Sequence, residues 1–125
     1  MTPAADDVRE GGLVAWQWRG YPEYHRDRRN LAIHLATAPL FWSGLISLGV
    51  TPLVGVQAAW GGLLLLVPLI LQGRGHKMEG APPLPFRGPF DVVARFTLEQ
   101  LVNFPRFVVT GGWSKAWAEA GAAKK

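Results

Sequence analysis

LATAPLFWSGLISLGVTPLVGVQAAWGGLLLLVPLIL, residues 35–71, contains no charged side chain. A bilayer core of about 30 Å takes roughly 20 helical residues. The runs Asn30–Val50 and Pro52–Leu71 each supply about that length. Gly49, Val50, Thr51 and Pro52 separate them, and Gly followed closely by Pro is a turn signal. The stretch therefore reads as a transmembrane helical hairpin over about residues 30–72, in a small all-α membrane protein. Pro39 and Pro68 lie inside the two legs and are expected to bend them. Gly44, Gly55, Gly61 and Gly62 allow the legs to approach closely.

The polar residues beside this stretch carry the chemistry. Tyr24-His25-Arg26, Asn30 and His34 precede or open it; Gln72-Gly73-Arg74-Gly75-His76-Lys77-Met78-Glu79 follow it. All three histidines of the chain lie in these flanks, and a hairpin brings the flanks together. Asn30 and His34 share one helix face, and His76 and Glu79 share one if that segment is helical. Imidazole nitrogen and carboxylate oxygen suit divalent transition metals. Two His and a carboxylate with open positions is the arrangement of many non-haem iron(II) oxygenases, though zinc takes such ligands too. The bland alternatives are interfacial histidines that only hydrogen-bond, and a Glu79 that pairs with Lys77, Arg74 or Arg87. A turn between residues 50 and 51 sets His25 and His76 at one height and His34 nine residues deeper, about 13 Å in straight helix. One metal then reaches all three only if the segment before Asn30 folds back or the 73–80 loop dips inward. Otherwise the site uses only some of them.

The rest of the chain supports a membrane setting. Its 125 residues make one domain, with a net charge of +4. Arg26, Arg28 and Arg29 precede the hairpin, and Arg74 and Lys77 follow it. Positive charge at both ends places both hairpin ends on the cytoplasmic side, of the inner membrane in a bacterium. No Lys/Arg stripe is interleaved with aromatics, so nucleic acid is not an expected partner. There is no cysteine, which excludes thiolate ligands and a Cys nucleophile. Residues 1–12 read as a mobile tail without the apolar core of a signal peptide. Trp16, Trp18, Tyr21 and Tyr24 suit the headgroup region, and Asp27 suits a helix N-cap. Residues 80–89, with four prolines, cannot be helical. In Phe90–Phe104, Asp91, Arg95 and Glu99 share one face. This reads as an amphipathic helix with that face toward water and Val92, Val93, Phe96 and Leu101 toward lipid. Pro105 is expected to interrupt it. One or two helices over about 90–118 are expected to lie on or dip into the cytoplasmic leaflet; a second transmembrane hairpin is the alternative, at a cost of about 2.5–3.5 kcal/mol each for burying Glu99 and Arg106 in lipid. Residues 119–125 form a basic tail.

Taken together, Tyr24-His25-Arg26, Asn30, His34, Pro39-Leu40, Gln72, Gly75-His76, Glu79 and Pro83 resemble the Mpo1-like family over about residues 21–85. Asp27-Arg28-Arg29, where many members have a proline soon after the first His, and Met78 depart from its pattern. The resemblance implies a single Mpo1-like membrane domain over residues 13–118. It also implies an iron(II)-dependent dioxygenase that uses O₂ to shorten 2-hydroxy fatty acids by one carbon. By the same resemblance His25, His34 and His76 would bind Fe(II). Glu79 would be a ligand or an outer catalytic partner, and Asn30 an orienting catalytic residue. Arg26 and Arg74 are then candidates for holding the substrate carboxylate. The partners are a fatty acyl substrate, O₂ and membrane lipid, with monomer or homo-oligomer left open. The competing reading is a non-enzymatic membrane scaffold or lipid-binding protein.

Overall fold

The computed structural model describes residues 8–123. The first seven positions of the expected N-terminal tail, and the last two of the basic tail, lie outside the described residues. The described residues form helices and no strand. They are α1 (Leu13–Gly20), α2 (Arg28–Val54), a 3₁₀-wound leg (Val56–Leu65) running into α3 (Leu66–His76), α4 (Pro89–Leu98), a π-wound turn (Glu99–Asn103), α5 (Phe104–Val109) and α6 (Gly112–Ala123).

Asp27 opens α2 as its sequence position predicts: its carboxylate accepts the Arg29 N–H at 2.8 Å. The helix then runs without a break through Pro39 and Pro52 to Val54. The hairpin therefore turns at Gly55 rather than at residues 49–52. The reason is conformational. Gly55 takes φ +115°, a backbone region closed to most side chains, whereas Gly49 stays helical. The return leg, Val56–His76, packs along α2. Both legs are long and apolar enough to cross a membrane. At Gly75 an added Cβ would collide with the Asn30 side chain, so glycine is what lets α2 and α3 approach at that level.

The hairpin is unevenly covered. The buried residues of α2 run only from Asn30 to Gly44. Beyond them Ile46, Leu53, Val56, Trp60 and Leu63 are exposed. An apolar surface of this extent marks contact with lipid or another apolar partner. At the opposite end, α1, α4–α5 and α6 wrap the hairpin. Tyr21, Leu31, Ala38, Phe104 and Phe107 form the core there, with Trp18, Trp113 and Trp117 against it. Trp16 and Tyr21 are therefore core rings rather than headgroup anchors.

The C-terminal helices also differ from expectation. Asp91, Arg95 and Glu99 do share a face, but it turns inward. Their side chains are only 10%, 12% and 16% exposed, while Phe90, Val93 and Leu101 face outward. Phe96 packs edge-on against Phe41 of α2 at 5.3 Å. Arg9 pairs with Asp91, and Arg95 donates to the carbonyls of Leu84 and Pro85. The inward charges are thus partnered inside the protein instead of hydrated. Pro105 does not break the helix. It follows the π-wound turn, where the Phe104 N–H reaches back to the Glu99 carbonyl.

Candidate metal centre

Three elements deliver the three imidazoles to one point. His34 lies on α2 and is fully buried, and His76 ends α3. Gly55 stands midway between them in sequence, so a hairpin that turns there brings both to a similar height. His25 lies outside the helix, in the segment between α1 and α2, which folds back over the end of the hairpin. The ring centroids form a nearly equilateral triangle. His25–His34 and His25–His76 are 4.8 Å apart, and His34–His76 is 4.9 Å. Each pair is nearly perpendicular, at 82–85°.

Glu99 supplies the carboxylate. Its Oε1 lies 3.0 Å from His34 Nε2, 3.3 Å from His25 Nε2 and 4.0 Å from His76 Nε2. One donor atom from each of the four residues lies within 4.8 Å of the others, and the group could hold a metal ion. Two metal–ligand bonds of about 2.1 Å each span at most about 4.2 Å, so the donors would draw slightly together around one ion.

The outer hydrogen bonds sharpen this reading. His25 Nδ1 lies 2.7 Å from the Tyr21 carbonyl, and His34 Nδ1 lies 2.9 Å from the Asn30 carbonyl. A carbonyl can only accept, so both Nδ1 atoms carry the proton. In a neutral ring the Nε2 is then a bare lone pair. If both rings are neutral, two lone pairs face a carboxylate oxygen, acceptor against acceptor. Protonating one ring relieves only one of these contacts; a cation relieves both. Burial pushes the His25 imidazole below its ordinary 6.5, toward the neutral form. An Nδ1–H held by a carbonyl with Nε2 turned inward is the usual outer arrangement of a metal-binding histidine. His76 Nδ1 is buried without a hydrogen-bond partner.

Side-chain bonds from neighbouring elements hold the π-wound turn that aims Glu99. Gln72 and Gln100 pair through both amides, at 2.6 and 3.2 Å, and Gln72 also donates to Thr37. Trp42 Nε1–H donates to the Gln100 carbonyl, and Asn103 donates to Gln17 of α1. A π-wound segment inside a helix is frequent at functional sites.

Glu79 stands elsewhere. Its carboxylate accepts the backbone N–H groups of Arg26 and Asp27 at 3.0–3.1 Å and the Asn30 amide at 2.8 Å. It clips the two flanks together and steadies the backbone next to His25. The carboxylate beside the imidazoles is Glu99, not Glu79. Asn30 touches the group through its backbone, by accepting from His34, while its side chain serves Glu79 and the Tyr24 carbonyl. Arg26 and Arg74 have exposed side chains and do not line the cavity that reaches the histidines. The sequence held one signal for Glu99, which is the single charged residue between Phe96 and Val102.

That cavity has a volume of about 550 Å³. His25, His76 and Glu99 lie on its wall with Tyr21 and Gln72, whereas His34 lies behind them. Leu69, Leu84 and Phe96 make its apolar side, and Arg19, Lys77 and Arg95 are its cations. No protein-family model, curated protein or solved structure matches the chain significantly.

Proposed function

We propose that the protein is an iron(II)-dependent membrane dioxygenase that shortens 2-hydroxy fatty acids by one carbon. One observation carries the reading: three imidazoles and a carboxylate converge on one point, open to an apolar-sided cavity, at the packed end of a membrane-length hairpin. The resemblance to the Mpo1-like family supplies the metal and the reaction. The clustering of Arg26, Arg28, Arg29, Arg74 and Lys77 at that end supports a cytoplasmic site.

The stoichiometry is a 2-hydroxy acid plus O₂ giving the acid one carbon shorter, carbon dioxide and water. The C1–C2 bond breaks, and O₂ takes up the four electrons lost by those two carbons. His25, His34, His76 and Glu99 would hold iron(II), which when bound would supply the activation of O₂ that the side chains cannot. The protein's own part is placement. The apolar wall of Leu69, Leu84 and Phe96 takes the acyl chain. Arg19 donates to the Glu10 carbonyl and Arg95 to those of Leu84 and Pro85. Lys77, beside His76, is thus the cation we assign to the substrate carboxylate, in place of Arg26 or Arg74. Holding the head group there brings the C1–C2 bond next to the oxidant.

Purified, iron-loaded protein is incubated in air with 2-hydroxy and with unsubstituted fatty acids. A product one carbon shorter, from the hydroxy acid alone and absent without O₂, is expected. Lys77→Met should raise KM with little change in kcat. No turnover at any chain length, with iron confirmed in the protein, would leave a lipid-binding membrane protein as the better reading.

A further inference from the structure

Tyr21, a core residue, also makes three separate contacts with the candidate metal centre. Its backbone carbonyl accepts His25 Nδ1–H at 2.7 Å. Its ring lies face to face with the His25 imidazole, 3.8 Å between centroids and 6° from parallel. Its hydroxyl donates to Glu99 Oε1 at 3.2 Å. Phe107 backs the ring at 4.8 Å, and the residue is only 4% exposed. One residue therefore touches two of the four candidate donors.

We propose that Tyr21 is a positioning residue of the centre, which fixes the His25 ring and anchors the Glu99 carboxylate before the metal arrives. The inference rests on the metal-site reading above. The polar groups around Glu99 Oε1 are three imidazole nitrogens and one phenol. His25 and His34 each direct Nδ1 at a backbone carbonyl, and the Tyr21 hydroxyl donates to this oxygen. A carboxylate oxygen has two lone pairs. One accepts from Tyr21, and the other stays directed at the point between the imidazoles. Without the hydroxyl, Oε1 loses the phenol donor that holds its direction.

The test is cobalt(II) titration of the full chain in detergent under nitrogen, followed by the visible absorption of the bound ion. Tyr21→Phe keeps the ring stack and removes only the hydroxyl. Loss of an outer partner costs about 10–100-fold in metal affinity, and that weakening is expected, together with a changed cobalt spectrum and a near-wild-type unfolding midpoint. Because Tyr21 acts through Glu99, Tyr21→Phe should weaken binding far less in a Glu99→Gln background, the non-additivity of groups in one network. Wild-type affinity and spectrum in Tyr21→Phe would overturn the proposal, as would full additivity with Glu99→Gln. If Tyr21→Phe does not fold, the cobalt spectrum of Glu99→Gln decides. Bands unchanged from wild type would mean that Glu99 is no ligand and would overturn its anchoring by Tyr21. Wild-type protein that binds no cobalt would remove the metal centre itself, an outcome distinct from a Tyr21 variant that binds normally.

Discussion

Replacing Glu99 by Gln separates a metal centre from a buried ion-pair network by the sign of one number. The substitution keeps the shape and removes the charge. In metal-free protein its NH₂ can take the place of Oε1, 3.0 Å from His34 Nε2 and 3.3 Å from His25 Nε2. Two opposed lone pairs then become two hydrogen bonds, each worth about 1 kcal/mol. The Tyr21 donation to Oε1 is lost, at a cost of about 1–2 kcal/mol. The net effect on the metal-free fold is near zero to about 1 kcal/mol stabilising. If Glu99 instead neutralised a protonated histidine, breaking that buried pair would destabilise by about 3–5 kcal/mol. At roughly 3–6 °C of unfolding midpoint per kcal/mol for a chain of this size, the two cases differ by about 10 °C or more. The assay is thermal unfolding of chelator-treated protein in detergent, followed by metal titration. The expected pair of results is an unchanged or raised midpoint and a metal affinity lowered more than 10-fold. A large fall in the metal-free midpoint with unchanged metal binding would refute the lone-pair argument.

Three further predictions follow from the same contacts. Glu79→Gln should keep its metal, since Glu79 binds backbone N–H groups rather than facing the imidazoles; loss of metal equal to that of Glu99→Gln would return Glu79 to the ligand set. Gly75→Ala should destabilise the fold by about 1–3 kcal/mol and weaken metal binding with it, because its Cβ pushes on Asn30 beside His34; a wild-type midpoint in denaturant unfolding would contradict this. The Asp91 carboxyl is held well below its ordinary 3.8, first by its hydrogen bonds from Arg9 and then by the Arg87 N–H. A depressed carboxyl stabilises the fold above its unfolded pKa and ceases to do so as pH falls through the folded value. The midpoint gap between wild type and Asp91→Asn should therefore be full at neutral pH and shrink below about 3.8; a gap that does not change with pH would contradict the pairing.

The hairpin and the three histidines were legible because each leaves a local mark: an uncharged stretch of bilayer length, and imidazoles confined to its two flanks. The residues that complete the site leave weaker marks. Glu99 sits four residues after Arg95 and eight after Asp91, a spacing that correctly puts the three on one face. Spacing does not say whether that face meets water or protein. The cost of burying Glu99 was read as keeping its helix at the surface, although a buried ionisable group with partners also marks a functional site. The π-wound turn has no sequence pattern of its own and rests on distant partners, Gln72 and Trp42 from the hairpin and Gln17 from α1. The turn was misplaced because Gly49 and Pro52 resemble a break, while the residue that takes a positive φ is Gly55. The Trp16 and Tyr21 rings suited a headgroup belt by composition, and only the fold shows that they are covered.

Metal content tests the central claim most directly. Protein purified without oxygen should contain about one iron per chain by elemental analysis, and His34→Ala and His76→Ala, still helical and membrane-inserted, should contain almost none. Folded wild-type protein that carries no iron and takes none up from iron(II) solution, or variants with wild-type iron content, would contradict the account.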